Sequence, residues 1–175
     1  MLSEKKLLDL IDKKGLNLKL YTHEPLSTVE ESIKYRGKIE GAHSKNLFFK
    51  NKKNEFFLFS CLEKTTVNIK KISKSLSLGN ISFANEHYLS LYLGVKPGAV
   101  SPFGLLNDIE NKVVFFLDSN FFNYEIVNFH PLTNTSTIGM NINDFINFLI
   151  ENKKKVNIYD FNNYSRIESL YKRYE

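Results

Sequence analysis

An α+β fold is predicted by three observations. Segments of helical and strand periodicity both occur along the 175 residues, but not in the strict βαβ order of a parallel sheet. Two apolar runs, Asn46–Phe49 and Glu55–Phe59, flank the polar Asn51-Lys52-Lys53-Asn54 and read as a hairpin. Hydrophobic residues make up 42% of the chain, with 15 Phe and 9 Tyr, enough to bury a core.

The elements follow in order. Ser3 is a plausible N-cap, Glu4 suits the positive helix end, and Leu7, Leu8, Leu10 and Ile11 form an apolar stripe that Gly15 closes. Leu18–Thr22 alternates as a short strand. After Pro25, Thr28 and Glu31 resemble a capping box opening a helix through Tyr35. Beyond the hairpin, Val67–Leu76 has helical spacing and ends near Gly79, and Ile81–Phe83 is a short strand. Asn85 caps a helix through Leu93, which Gly94 ends. Val113–Leu117, Glu125–Phe129 and Ser136–Ile138 read as strands. Asn141 or Asn143 caps a helix carrying Phe145, Ile146, Phe148, Leu149 and Ile150. Val156–Tyr159 is a late strand, and Ser165 is expected to cap a last basic helix ending at Tyr174. No repeat or linker divides the chain, so one domain is expected.

Several function classes are excluded. The single cysteine, Cys61, forbids an intramolecular disulfide and a Cys-based zinc site. The four histidines, His23, His43, His87 and His130, do not pair at metal-binding spacing. No apolar run approaches the ~18 residues that span a bilayer. Met1–Lys6 lacks the order of a signal peptide, so a soluble, cytoplasmic protein is expected. The net charge of +5 comes from 21 Lys and 3 Arg against 19 acidic residues. With 20 Asn, this is also the composition of an AT-rich coding sequence, so charge alone is compatible with a polyanionic partner without identifying one.

Neither a nucleophile elbow nor a phosphate loop is present. Cys61 ends an apolar strand and reads as a buried, inert thiol, His23 as a turn residue, and His87 as a surface or half-buried helix residue. Three segments stand out. His43-Ser44-Lys45-Asn46 puts a cation at the mouth of an apolar strand, as a solvated flank or an anion anchor. Gly94–Gly104 holds three of the eight Gly and two of the four Pro, as a complicated corner or a turn that aims backbone N–H groups at a carbonyl or phosphate. His130–Thr137 follows a strand with small hydroxyl and amide groups, as the wall of a polar pocket or the setting of a satisfied histidine.

Taken in order, these segments resemble the YbaK/ProX family of aminoacyl-tRNA deacylases, which includes the editing domain of bacterial prolyl-tRNA synthetases. Lys45-Asn46-Leu47-Phe48 is similar to the family's Lys-bearing strand, and Gly94-Val95-Lys96-Pro97-Gly98 to its Gly-x-x-Pro-Gly loop. Ala99–Leu105 continues as the Ser-Pro-Phe-Gly stretch, followed by Asn107-Asp108, and Phe129-His130-Pro131 with Asn134-Thr135 and Thr137 resembles the His-Pro-x-x-Asn-Thr segment. The resemblance covers about residues 2–161 and is strongest to free-standing ProX-type members. Ser60–Lys64 departs from the family's usual Pro-Gly turn. No family motif reaches 162–175, which is expected to be a helical tail after an editing domain at 1–161.

The resemblance implies a mixed, partly barrel-like sheet flanked by helices. It also implies hydrolysis of alanine from mischarged Ala-tRNA(Pro), without metal or cofactor. Prolyl-tRNA synthetase or an elongation factor is the implied protein partner. The YbaK-type Cys-tRNA(Pro) deacylases, and a non-catalytic tRNA- or synthetase-binding module of the same fold, are the alternatives. Lys45, Gly98 and His130 would be catalytic: Lys45 holds the terminal phosphate or ribose, the Gly94–Gly98 backbone forms an oxyanion hole, and His130 shapes the alanine pocket. Asn46, Gly94, Pro97, Ser101, Asn134 and Thr135 would contact substrate. Charge suggests Lys50, Lys70, Lys71 and Lys74 for the tRNA backbone.

Overall fold

A computed structural model of the chain describes residues 1–25 and 39–167. The helix predicted at Thr28–Tyr35 and the end of the predicted C-terminal helix lie outside the described residues.

Helix α1 (Glu4–Lys13) starts where the Ser3 hydroxyl accepts the Lys6 N–H, and it buries Leu7 and Ile11. Strand β1 (Leu18–Thr22) follows, and β2 (Ala42–Asn51) and β3 (Phe56–Leu62) form the predicted hairpin. At its turn the Asn51 carboxamide oxygen accepts the N–H groups of Lys53 (2.9 Å) and Glu55 (3.0 Å). Both strands outrun the apolar runs because their polar ends are held by neighbouring strands. Helix α2 (Ile69–Ser75) is capped by Asn68, and β4 (Ile81–Phe83) returns to pair with β2. The Asn85 cap opens α3 (Glu86–Tyr88), which widens into a π-helical segment, Leu89–Leu93, and ends at left-handed Gly94. Strands β5 (Val113–Asp118), β6 (Ile126–Phe129) and β7 (Ser136–Asn141) precede α4 (Ile142–Glu151), capped by Asn141. Strand β8 (Val156–Asp160) follows α4.

One expectation is corrected. Ser165 does not cap a helix: Ser165–Arg166 form β9, antiparallel to β8. The open edge of β8 outcompetes a helix start there. Ile167 N–H donates to the Ile158 carbonyl (3.1 Å), and the Arg166 guanidinium donates to Asn157 Oδ1 (2.7 Å).

The strands form one mixed sheet in the order β1-β7-β6-β2-β3-β5-β8-β9, with β4 beside β2. It is flanked by helices as expected but is open, not closed into a barrel: β1 and β9 stand at opposite ends. The larger core covers one face, where Leu7 and Ile11 of α1, Phe145 and Phe148 of α4 and Phe103 of the Pro102–Asn107 turn join Phe129 of β6. On the other face a smaller core lies under α2, where Ile72 packs with Phe49, Phe59, Cys61, Phe116 and Tyr159. Phe59 and Phe116 stack at 4.8 Å. The β2–β6–β7–β1 part of this second face carries the polar groups described next.

Candidate functional site at a strand fork

Strands β2 and β6 run parallel and are paired only at Ala42 with Val127 and His43 with Asn128. Beyond those pairs β6 ends at Phe129, and among the described residues the outer edge of β2 is next paired at Phe49, by β4. A fork therefore opens in the sheet. The Ser44 hydroxyl closes its root by donating to the Asn128 carbonyl (2.8 Å).

Side chains alternate between the faces of a strand. Two residues past the last pair, β2 carries Lys45 and β6 leads into His130, both on the face of His43 and Asn128. Thr137 on β7 is on that face too, one step beyond the Asn128–Gly139 and Phe129–Ile138 pairs. The fork thus brings Lys45, His130 and Thr137 to one sheet face.

The Lys45 ammonium donates to the Thr65 carbonyl, on the β3 side of the fork. Cys61, its register partner, is fully buried, and that burial pushes the thiol up to about 12, partly opposed by the Lys45 charge. Such a thiol is no nucleophile at neutral pH, in line with the inert reading. Behind it Asp118, also fully buried, accepts from Thr65 Oγ1 (3.2 Å), Leu62 N–H (3.4 Å) and Asn120 N–H (2.9 Å). Burial raises its carboxyl above the ordinary value, against those hydrogen bonds.

His130 Nδ1 lies 2.8 Å from the Ser136 carbonyl, so Nδ1 carries the hydrogen. The His130 ring stands 6.1 Å from that of His23. His23 is no loose turn residue: it is buried, donates from Nδ1 to the Glu24 carbonyl (2.9 Å), and accepts at Nε2 from Thr137 Oγ1 (3.0 Å). The turn after His130 meets the Gly98 loop. A Cβ built on Gly98 would touch Asn134 Nδ2 at 3.6 Å and, among the described residues, nothing nearer.

Internal hydrogen bonds consume part of the expected oxyanion hole. The N–H groups of Gly94, Val95 and Ala99 donate to Ser90, Leu89 and Lys96 carbonyls, and Pro97 has none. Lys96 and Gly98 remain as N–H donors without an acceptor among the described residues. Gly98 has φ +86° and is exposed beside exposed Pro97.

Several expected contacts are not brought to this site. Asn46 faces the larger-core side, opposite to Lys45, and accepts from Ser60 Oγ at 2.6 Å. Gly94 is held by structure: at φ +66°, a Cβ there would lie 2.5 Å from Asn107 Nδ2. Ser101 is fully buried and caps the Pro102–Asn107 turn through the Phe103 N–H. Thr135 shares a hydrogen bond with Thr133 and lines a separate groove of about 310 Å³ between α1 and β1. The lysines do not form one patch. Lys50 sits 4.8 Å over the Tyr88 ring and Lys71 5.0 Å over Tyr164. Lys70 and Lys74, one helical turn apart on α2, share a groove of about 690 Å³ with Asn80 and Ile81.

Sequence reasoning passed over Asp118 and Thr65, and read His23 as a turn residue. The polar residue ending the apolar run Val113–Leu117 was a signal for Asp118. For His23 the sequence carries none, because its partner Thr137 lies 114 residues away.

Among the described residues no helix is long and apolar enough to cross a membrane, and no three His, Cys, Asp or Glu side chains gather as metal ligands. An open mixed sheet brings Lys45, His130 and Thr137 to one face where two parallel strands part, and the Gly98 loop meets the turn that follows His130. The chain belongs to the aminoacyl-tRNA editing domain family, whose profile matches residues 23–148. It is 41% identical over 132 residues to prolyl-tRNA synthetase associated domain-containing protein 1 of Xenopus laevis, covering 73% of this chain and 78% of that protein. To the prolyl-tRNA editing protein ProX of Acetoanaerobium sticklandii it is 31% identical over 135 residues, 77% and 82% of the two chains. A solved chain described as a candidate trans-editing enzyme for prolyl tRNA synthetase shares the fold, with a TM-score of 0.66 at 20% identity over 89% of this chain and 96% of that one. The motif order in the sequence pointed to this same family.

Proposed function

We propose that this protein is a trans-editing hydrolase that deacylates mischarged Ala-tRNA(Pro), releasing alanine and free tRNA. The observation that carries the reading is the fork: Lys45 and His130 share one face where β2 and β6 part, and the Gly98 loop meets the turn that follows His130. The ProX relative is named a prolyl-tRNA editing protein, which agrees with this reading.

A synthetic site built for proline cannot strongly reject the smaller alanine, because a missing methylene is worth only about 1–3 kcal/mol. A second, smaller site corrects the error. The Lys45 ammonium exchanges the Thr65 carbonyl for the terminal phosphate and fixes the ester in register. The Gly98 N–H, assisted by that of Lys96, stabilises the oxygen that becomes negative when water attacks the ester carbonyl. His130, braced through Nδ1 by the Ser136 carbonyl, walls the alanine pocket, and Asn134 closes it from the Gly98 side. Asn46 acts on the far face by holding Ser60 and Ser44 at the root of the fork. Lys70 and Lys74 steer the tRNA backbone. The protein works in the cytoplasm beside prolyl-tRNA synthetase.

Purified protein assayed on Ala-, Cys-, Ser- and Pro-tRNA(Pro) tests this. Turnover of the alanyl ester above the others is expected. Preference for the cysteinyl ester would make the protein a Cys-tRNA(Pro) deacylase, and no turnover of any would leave a binding module. The Xenopus relative is named only for its domain, which makes the catalytic arm of this experiment decisive.

A further inference from the structure

Phe83 is 61% exposed at the end of β4, although it belongs to a sheet. Its register partner is Phe49, fully buried in the smaller core, and the two rings lie 4.6 Å apart. One side of the Phe83 ring is therefore braced by a fixed aromatic while much of the residue meets solvent. Paired residues share a sheet face, so Phe83 is on the face of Phe49 and, four residues back along β2, of Lys45. Four residues of strand span about 13 Å. On its other side, two residues earlier in β4, Ile81 forms part of the groove with Lys70 and Lys74.

This face thus carries cations, then an exposed braced ring, then the Lys45 fork. Cations that track a phosphate backbone, with an aromatic on which a base can lie, are how proteins hold unpaired nucleic acid. We infer that Phe83 is a stacking platform for one nucleobase in the unpaired 3′ strand of the RNA ligand, set between the Lys70–Lys74 groove and Lys45. The inference rests on the deacylase reading for the direction of the strand, with its esterified end at the fork.

The test measures binding of the whole protein to an uncharged RNA hairpin with a single-stranded 3′ end, to its blunt counterpart, and to forms made abasic at one overhang position at a time. Phe83→Ala and Phe83→Leu should each weaken binding of the overhang hairpin by roughly ten-fold. Leu still covers Phe49 but offers no π face, so it separates stacking from folding. Phe83→Tyr should bind within about two-fold of the parent. One abasic position should weaken the parent by the same factor and leave Phe83→Ala unaffected. Equal binding by Phe83→Ala and the parent overturns the inference, as does equal loss on the blunt hairpin. So does a parent protein that binds no hairpin, or one whose self-association, read by sedimentation, is what Phe83→Ala abolishes. If the stacking result holds but no aminoacyl ester is hydrolysed, the deacylase reading fails while the platform stands.

Discussion

Replacing Gly98 by alanine separates chemistry from folding. At φ +86° a side chain occupies backbone space that only glycine enters freely, at a cost of about 1–2 kcal/mol. Among the described residues the new Cβ would meet only Asn134 Nδ2 at 3.6 Å, an ordinary contact, so no clash there adds to that strain. For a chain of this size the melting temperature should fall by about 2–8 °C. On the proposed function, relief of the strain should turn the Gly98 N–H away from the ester, and losing one oxyanion donor costs roughly 10²–10³ in kcat. Gly94→Ala is the control. It meets similar strain plus a 2.5 Å approach to Asn107 Nδ2, and Asn107 holds both the Leu93 carbonyl (2.9 Å) and the Leu2 N–H (2.6 Å). Gly94→Ala should therefore destabilise by several kcal/mol, of the order of the strain plus two lost hydrogen bonds, while its folded fraction keeps its kcat. The assay is single-turnover deacylation of Ala-tRNA(Pro), corrected for folded fraction, beside thermal melts of both variants. Gly98→Ala with kcat near the parent's, or Gly94→Ala with the larger kcat loss, would refute the assignment of the donor.

Lys45→Ala should lose about 100-fold or more in kcat/KM yet cost only about 1 kcal/mol in urea unfolding, since it removes one half-buried hydrogen bond to Thr65; near-parental deacylation would count against its role. His130→Ala should lose rate on the alanyl ester but gain relative activity on seryl or 2-aminobutyryl esters, because overlap penalties of about 1–3 kcal/mol vanish when the wall recedes; an unchanged kcat/KM ratio would mean that it serves chemistry or folding. Cys61, with its thiol pushed up to about 12, is ionised in on the order of one molecule in 10⁴ at pH 8. It should resist iodoacetamide until urea unfolds the protein, and rapid native alkylation would contradict the burial argument. The folded state holds the Asp118 proton more tightly than the unfolded chain does, so this group's contribution to stability falls as pH rises from the ordinary carboxylate value of 3.8 through the raised one. Asp118→Asn should flatten that part of the stability–pH curve, and an unchanged slope would show that burial does not set it.

Local signals in the sequence determined the elements and the family. The caps Ser3, Asn68, Asn85 and Asn141 each act on backbone N–H groups within three residues, a range over which the chain carries its own information. The hairpin turn and the stop at Gly94 are equally local. The Lys45, Gly98 and His130 motifs were legible because each is short and contiguous. Tertiary structure decided which of their neighbours share a space. Asn46 follows Lys45 directly, and the two-residue period of a strand turns it to the opposite face. Ser101 and Gly94 lie in the same glycine-rich stretch as Gly98, but packing against Phe103 and Asn107 assigns them to the fold. Ser165 carries a plausible cap signal, which the open edge of β8 overrides. His23 meets Thr137, and Asp118 meets Thr65, only because strands distant in sequence become neighbours in one sheet. Periodicity and caps act over a few residues. A site at a strand fork depends on which strands pair and where the pairing stops, and the hydrogen bonds of the whole sheet set that point.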